Sequence, residues 1–111
     1  MPYDPELADR MRAALRSRAG VVEKKMFGGY CWMLRGNMLC GVEVGRFMFR
    51  VGAAQEAEAL ARPGASPMDI TGKPMKGYVY VDPLGIEADA ALEHWIAACS
   101  AFVATLPPKG V

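Results

Sequence analysis

The tightest constraint in this chain is the spacing of its turns between Val21 and Val51. Gly28-Gly29, a bend or bulge, and the turns Arg35-Gly36-Asn37 and Val44-Gly45-Arg46 cut that stretch into runs of five to seven residues. Connections so short cannot carry a crossover, so consecutive strands must run antiparallel and side by side. The runs Val21–Lys25, Tyr30–Leu34, Met38–Val42 and Phe47–Val51 therefore read as a four-stranded meander. In the last run Phe47, Phe49 and Val51 share one face, while Met48 and Arg50 share the other.

Helical signals flank the meander. Asp4 is a candidate cap, and Pro5 suits a first helical position, where its missing N–H costs nothing. Leu7, Met11 and Leu15 recur at helical spacing, with Asp9, Arg12 and Arg16 opposite and Gly20 as the stop. Ala53–Ala61 reads as a short helix on propensity. Pro63-Gly64-Ala65-Ser66-Pro67 reads as a loop, because two prolines break either periodicity, and Gly72-Lys73-Pro74 reads as a turn. Gly77–Val81 is a strand by its β-branched and aromatic content. From about Glu87 to Thr105, Leu92, Trp95, Ile96, Cys99, Val103 and Leu106 form one stripe, with Glu93, His94 and Ala101 outside it. Pro107-Pro108 ends this helix, and residues 107–111 are expected to fray. The expected fold is α+β in two layers: an antiparallel strand meander packed by helices on one face, in the order α-β-β-β-β-α-β-α.

Composition limits the function classes. The chain has 111 residues, which fits one domain, 1–111. Thirteen basic and twelve acidic residues give a formal charge of +1, which argues against a polyanion as the main partner. There is no apolar run long enough to cross a bilayer and no basic start with an apolar core, so a cytoplasmic location is expected. Three cysteines at uneven spacing, Cys31, Cys40 and Cys99, form no disulfide framework. With His94 as the only histidine and no CxxC pair, no metal or cofactor site is expected.

Catalytic constellations are weak. A His94–Cys99 dyad is disfavoured, because five residues along a helix turn through about 500° and the two side chains diverge. The acids are scattered over helix surfaces. Gly72-Lys73 lacks the upstream glycine and the following hydroxyl of a phosphate loop. Arg12, Arg16 and Arg18 form a small basic patch, but nearby acids offset it, and direct nucleic-acid binding is the alternative rather than the leading reading.

Two further features stand out. If Arg35-Gly36 is the centre of its hairpin, Cys31 and Cys40 lie directly opposite each other. If Gly36-Asn37 is the centre, they are diagonal neighbours on the same face. Either register keeps a redox-responsive pair open as a second alternative. Met26, Met33, Met38 and Met48 crowd the strand region, as core filler or as an adaptable partner surface. An exposed edge strand would suit a homodimer.

The stretch Lys24-Lys25-Met26-Phe27-Gly28-Gly29-Tyr30, the turn Arg35-Gly36-Asn37-Met38 and the strand Phe47-Met48-Phe49-Arg50 together resemble the N-terminal domain of the TfoX/Sxy family. Gly72-Lys73-Pro74-Met75-Lys76-Gly77-Tyr78-Val79-Tyr80 is similar to that family's basic approach to a tyrosine-rich strand. The likeness spans about residues 5–105. It implies a secretion-chaperone-like α+β fold and a non-enzymatic protein acting through an unidentified protein partner. Regulation of transcription, of the kind that turns on competence genes, is implied with it. The family's regulators carry a second, C-terminal domain, and the present residues read as the first alone. Met26, Phe27, Gly28 and Gly29 carry the signature, with a structural role expected.

Overall fold

A computed structural model describes residues 5–26, 29–43, 45–70 and 73–108. The candidate cap Asp4 lies outside them. Helix α1 (Pro5–Leu15) leads into strands β1 (Val21–Met26), β2 (Gly29–Leu34), β3 (Asn37–Glu43) and β4 (Arg46–Arg50). A 3-10 turn (Ala53–Gln55) and short helix α2 (Glu56–Leu60) follow. Strands β5 (Ala65–Ile70) and β6 (Lys73–Val81), a second 3-10 turn (Pro83–Ile86) and α3 (Asp89–Val103) complete the order. All strand pairs are antiparallel, in one sheet of order β1-β2-β3-β4-β6-β5.

The meander is as expected, but the sheet gains a sixth strand. Residues 65–67, read as loop, open β5, and Lys73 and Pro74, read as turn, open β6. Pro67 is compatible with this because β5 is the sheet's edge, where a missing N–H breaks no ladder on the outer side. Thr71 and Gly72 lie outside the described residues.

Helical side chains and one sheet face share the main core. Leu7, Met11 and Leu15 of α1, Ala59 of α2, and Leu92, Trp95, Ile96, Cys99 and Val103 of α3 pack against Phe47, Phe49, Val79 and Val81. The stripe foreseen on α3 is therefore the buried one, and Glu93, His94 and Ala101 are exposed. Phe49 stacks on Trp95 with centroids 5.3 Å apart and on Phe47 at 6.2 Å.

The β2–β3 turn does more than reverse the chain. Leu34 pairs with Asn37, so Arg35-Gly36 is its centre, with φ of 53° and 83°. Positive φ at both positions matches the twist of a tight hairpin, at a cost for arginine. The Arg35 guanidinium donates to the carbonyls of Ala104 (2.7 Å) and Leu106 (3.4 Å), and Asn37 Nδ2 donates to that of Pro107 (3.0 Å). These bonds satisfy carbonyls at the C-cap of α3 and just beyond it, where a cation also complements the helix dipole. Pro107 is thus tied down, where fraying was expected.

Candidate functional site

The face of the sheet away from the helices is the first candidate. Its cluster consists of strand side chains alone: Cys31, Met48, Met68 and Tyr80 are buried, with Met33, Met38, Met75 and Tyr78 packed against them. Strand alternation explains the sorting, since Met48 lies between the core residues Phe47 and Phe49. A Cβ at Gly41 would stand 2.7 Å from Met48 Cε and 2.9 Å from the Tyr30 carbonyl oxygen, so glycine lets Met48 fold flat across β3.

A polar stack sits on this face. The Arg46 guanidinium lies 3.5 Å above the Tyr80 ring. Tyr80 donates its hydroxyl to Glu43 Oε1 at 2.8 Å, and Arg46 pairs with the same oxygen at 3.6 Å. Arg46 Nε–H is buried without a hydrogen-bond partner among the described residues. Arg50 stands 5.3 Å from the Tyr78 ring. The surface thus offers preorganised arginine and tyrosine beside deformable thioethers. Tyrosine, arginine and methionine are the side chains enriched where proteins meet.

Cys31 and Cys40 occupy neither of the two expected registers. The pairing runs Leu34 with Asn37 and Met33 with Met38, then slips, so that Trp32 faces Cys40 and Cys31 faces Gly41. Leu39 is the extra residue of a β-bulge. The slip places Cys40 in the helix-side core and Cys31 in the methionine cluster, on opposite faces of the sheet. The redox pair built on them is therefore not supported. Cys40 lies instead 3.8 Å from Met11 Sδ, in the same helix-side core as Cys99. Burial, with Cys99 second, raises the Cys40 thiol well above its ordinary value. Burial, with the charge of Glu43 second, pushes Cys31 up to about 11.

All three thiols are buried and free, so Ellman's reagent near neutral pH is expected to modify them only slowly until denaturant exposes all three. Fast reaction of two thiols in the native protein would contradict this packing. The raised Cys31 value also carries a pH dependence. The folded state holds the proton more tightly than the unfolded chain does. That contribution is intact below the ordinary thiol value of 9.0 and is lost as pH rises toward about 11. Alkaline unfolding curves of the protein and Cys31→Ala are expected to differ in slope within that window, and identical slopes would exclude the assignment.

Other sequence candidates are placed as follows. His94 is exposed on α3, while Cys99 is buried and donates to the Ile96 carbonyl at 3.3 Å, so the two do not meet. Arg12 clamps Glu23 at 2.6 and 3.1 Å, bonds Asp9 at 2.8 Å and stands over the Tyr30 ring, leaving it committed within the fold. Arg16 is exposed and Arg18 half-buried beside it. Met26 pairs with Gly29 at the base of the β1–β2 hairpin, and a Cβ at Gly29 would overlap the carbonyl oxygen of Val42. Phe27 and Gly28 lie outside the described residues. The Arg46–Tyr80–Glu43 stack went unforeseen. Its only sequence signal was Tyr78-Val79-Tyr80 alternating against Arg46 and Arg50.

A two-layer α+β domain, with one sheet face under helices and the other dressed in methionine, tyrosine and arginine, is the class these features define. The chain belongs to the TfoX N-terminal domain family, whose model matches residues 13–103. No curated protein and no solved structure matches the chain. Among the described residues no helix is long and apolar enough to cross a membrane.

Proposed function

We propose that this domain works in the cytoplasm by protein–protein contact, without catalysis, through the helix-free face of its sheet, and that the contact serves regulation of transcription of the competence type. The observation that carries the reading is the Arg46–Tyr80–Glu43 stack, with its buried Arg46 Nε–H unpartnered among the described residues, set among half-buried methionines. A partner carboxylate or carbonyl would satisfy that donor, and thioethers adapt to varied apolar shapes. Membership in the TfoX N-terminal domain family supports the regulatory part. The sheet edges are blunted, β1 by Glu23, Lys24 and Lys25 and β5 by Pro67, so the reading uses the face rather than strand addition.

The test is affinity capture from native lysate with the protein and with an Arg46→Ala/Tyr78→Ala variant whose melting is checked first. A partner retained by the former and lost by the latter is the expected result. Equal capture by both, or no specific partner even at low salt, removes the reading. A gel shift on duplex DNA in about 50 mM salt tests the basic-patch alternative, since release of counterions makes phosphate contacts strongest there. A shift abolished by Arg16→Glu/Arg18→Glu would favour nucleic acid instead.

A further inference from the structure

On the other side of the molecule, α2 and its preceding turn stand away from α3 and leave a cleft of about 460 Å³. That volume lies within the range of pockets that enclose small ligands, about 300–1,000 Å³. The cleft exists because the facing positions carry little side chain: Ala54 and Ala59 on one wall, Ala98 and Ala101 on the other. Trp95 and Val51, both buried, form its floor, and Phe102 closes one end. Phe102 owes its place to Gly52, which has φ of 88° and where a Cβ would overlap the ring. The near wall is held by Glu56, whose carboxylate accepts from Gly77 N–H at 2.7 Å.

The rim is polar and unspent. Gln55, Glu58, Arg62 and His94 line it. None of the four side chains makes a hydrogen bond or ion pair among the described residues, although Glu58 and Arg62 are one helical turn apart. By contrast Arg10, Arg12, Arg35 and Arg46 each bond a carbonyl or carboxylate within the fold. Arg62 is half-buried in the lining, an arrangement in which an arginine covers apolar surface with its stem and keeps its guanidinium toward water. His94 adds a second N–H donor from the opposite helix. Glu58 is exposed, so its carboxylate can stay solvated. Two donors lining one apolar slot match a single carboxylate, which a guanidinium can bind in two-pronged fashion.

The geometry points to a small-molecule site in the α2–α3 cleft, one that takes an amphiphile with an apolar body and one carboxylate. This goes beyond the protein-contact reading and rests on none of the same residues. The body lies on Trp95 between the alanines, and the carboxylate sits at the mouth against Arg62 and His94.

The probes are decanoate, decanol and decyltrimethylammonium below their micelle concentrations, titrated by calorimetry and by the fluorescence of Trp95 in a Trp32→Phe background. Decanoate is expected to saturate at one equivalent and to bind at least tenfold more tightly than the other two. Arg62→Gln is expected to cost decanoate about tenfold, the worth of one charged hydrogen bond, and to leave decanol unchanged. Ala98→Phe, or Ala54→Trp where the former melts early, fills the slot and is expected to abolish binding of all three. Absence of saturation in the parent protein overturns the site, as does unchanged affinity in the filled variants. Equal affinity for decanoate and decanol overturns the carboxylate.

Discussion

Truncation of Phe49 to alanine is expected to destabilise the fold by about 3–5 kcal/mol, the range for removing a fully buried phenylalanine. Phe49 is completely buried at the centre of the helix-side core. Its ring stacks on Trp95 at 5.3 Å and on Phe47 at 6.2 Å, so it joins β4 to α3 directly. The loss combines transfer of the ring, the cavity left behind, and the ring-pair term of about 0.5–1.5 kcal/mol. Domains of this kind have about 5–15 kcal/mol in total, so the variant sits near the limit of folding. Urea unfolding is the measurement: the midpoint falls sharply while the slope is unchanged, since the same surface is exposed. Phe49→Leu keeps most of the volume and is expected to cost less than half as much. A loss under about 1 kcal/mol for the alanine variant would show that the α3–β4 contact is not the centre of the core.

The second large effect is expected at Gly29. A Cβ there would overlap the Val42 carbonyl oxygen, a backbone atom of the neighbouring strand that no rotamer change can remove. β2 would have to part from β3 at that end, losing ladder bonds around the Tyr30–Val42 pair. Gly29→Ala is therefore expected to cost about 3 kcal/mol or more, at the upper end for forced overpacking. Gly45→Ala is the control. A Cβ there meets nothing within 4 Å, but φ is 74°, so only backbone strain of about 1–2 kcal/mol is expected. Hydrogen exchange adds a local readout, with Tyr30 and Val42 amides losing protection in Gly29→Ala and keeping it in Gly45→Ala. Equal thermal shifts for the two variants would mean that the close approach of β2 and β3 is relaxed at little cost.

Gly29 shows how a signature residue is legible without its reason. The Met26-Phe27-Gly28-Gly29 segment marks the family, yet the partner that makes glycine necessary sits 13 positions away on β3. The same holds for the cysteines. Both registers considered for Cys31 and Cys40 assumed an unbroken ladder, and the extra residue Leu39 puts the two thiols on opposite faces. Nothing local distinguishes that segment from a regular strand. Leu39 and Cys40 are both apolar and both fully buried, so the interruption of alternation is hidden in a run where every residue suits a core. β5 was missed because proline reads locally as a strand breaker, and only the sheet's order shows that Pro67 stands at its edge.

The residues alone determined what depends on short range: antiparallel meander from turn length, the buried stripe of α3 from its period, the two-layer α+β class from the order of both. Turn spacing and periodicity act over a few bonds, so they survive in a one-dimensional reading. The tertiary structure alone decided the β-bulge, the edge position of β5, the Arg46–Tyr80–Glu43 stack and the alanine-lined cleft between α2 and α3. Each is a meeting of groups distant along the chain, brought together by burial of a common core, and no local preference encodes which of them will touch.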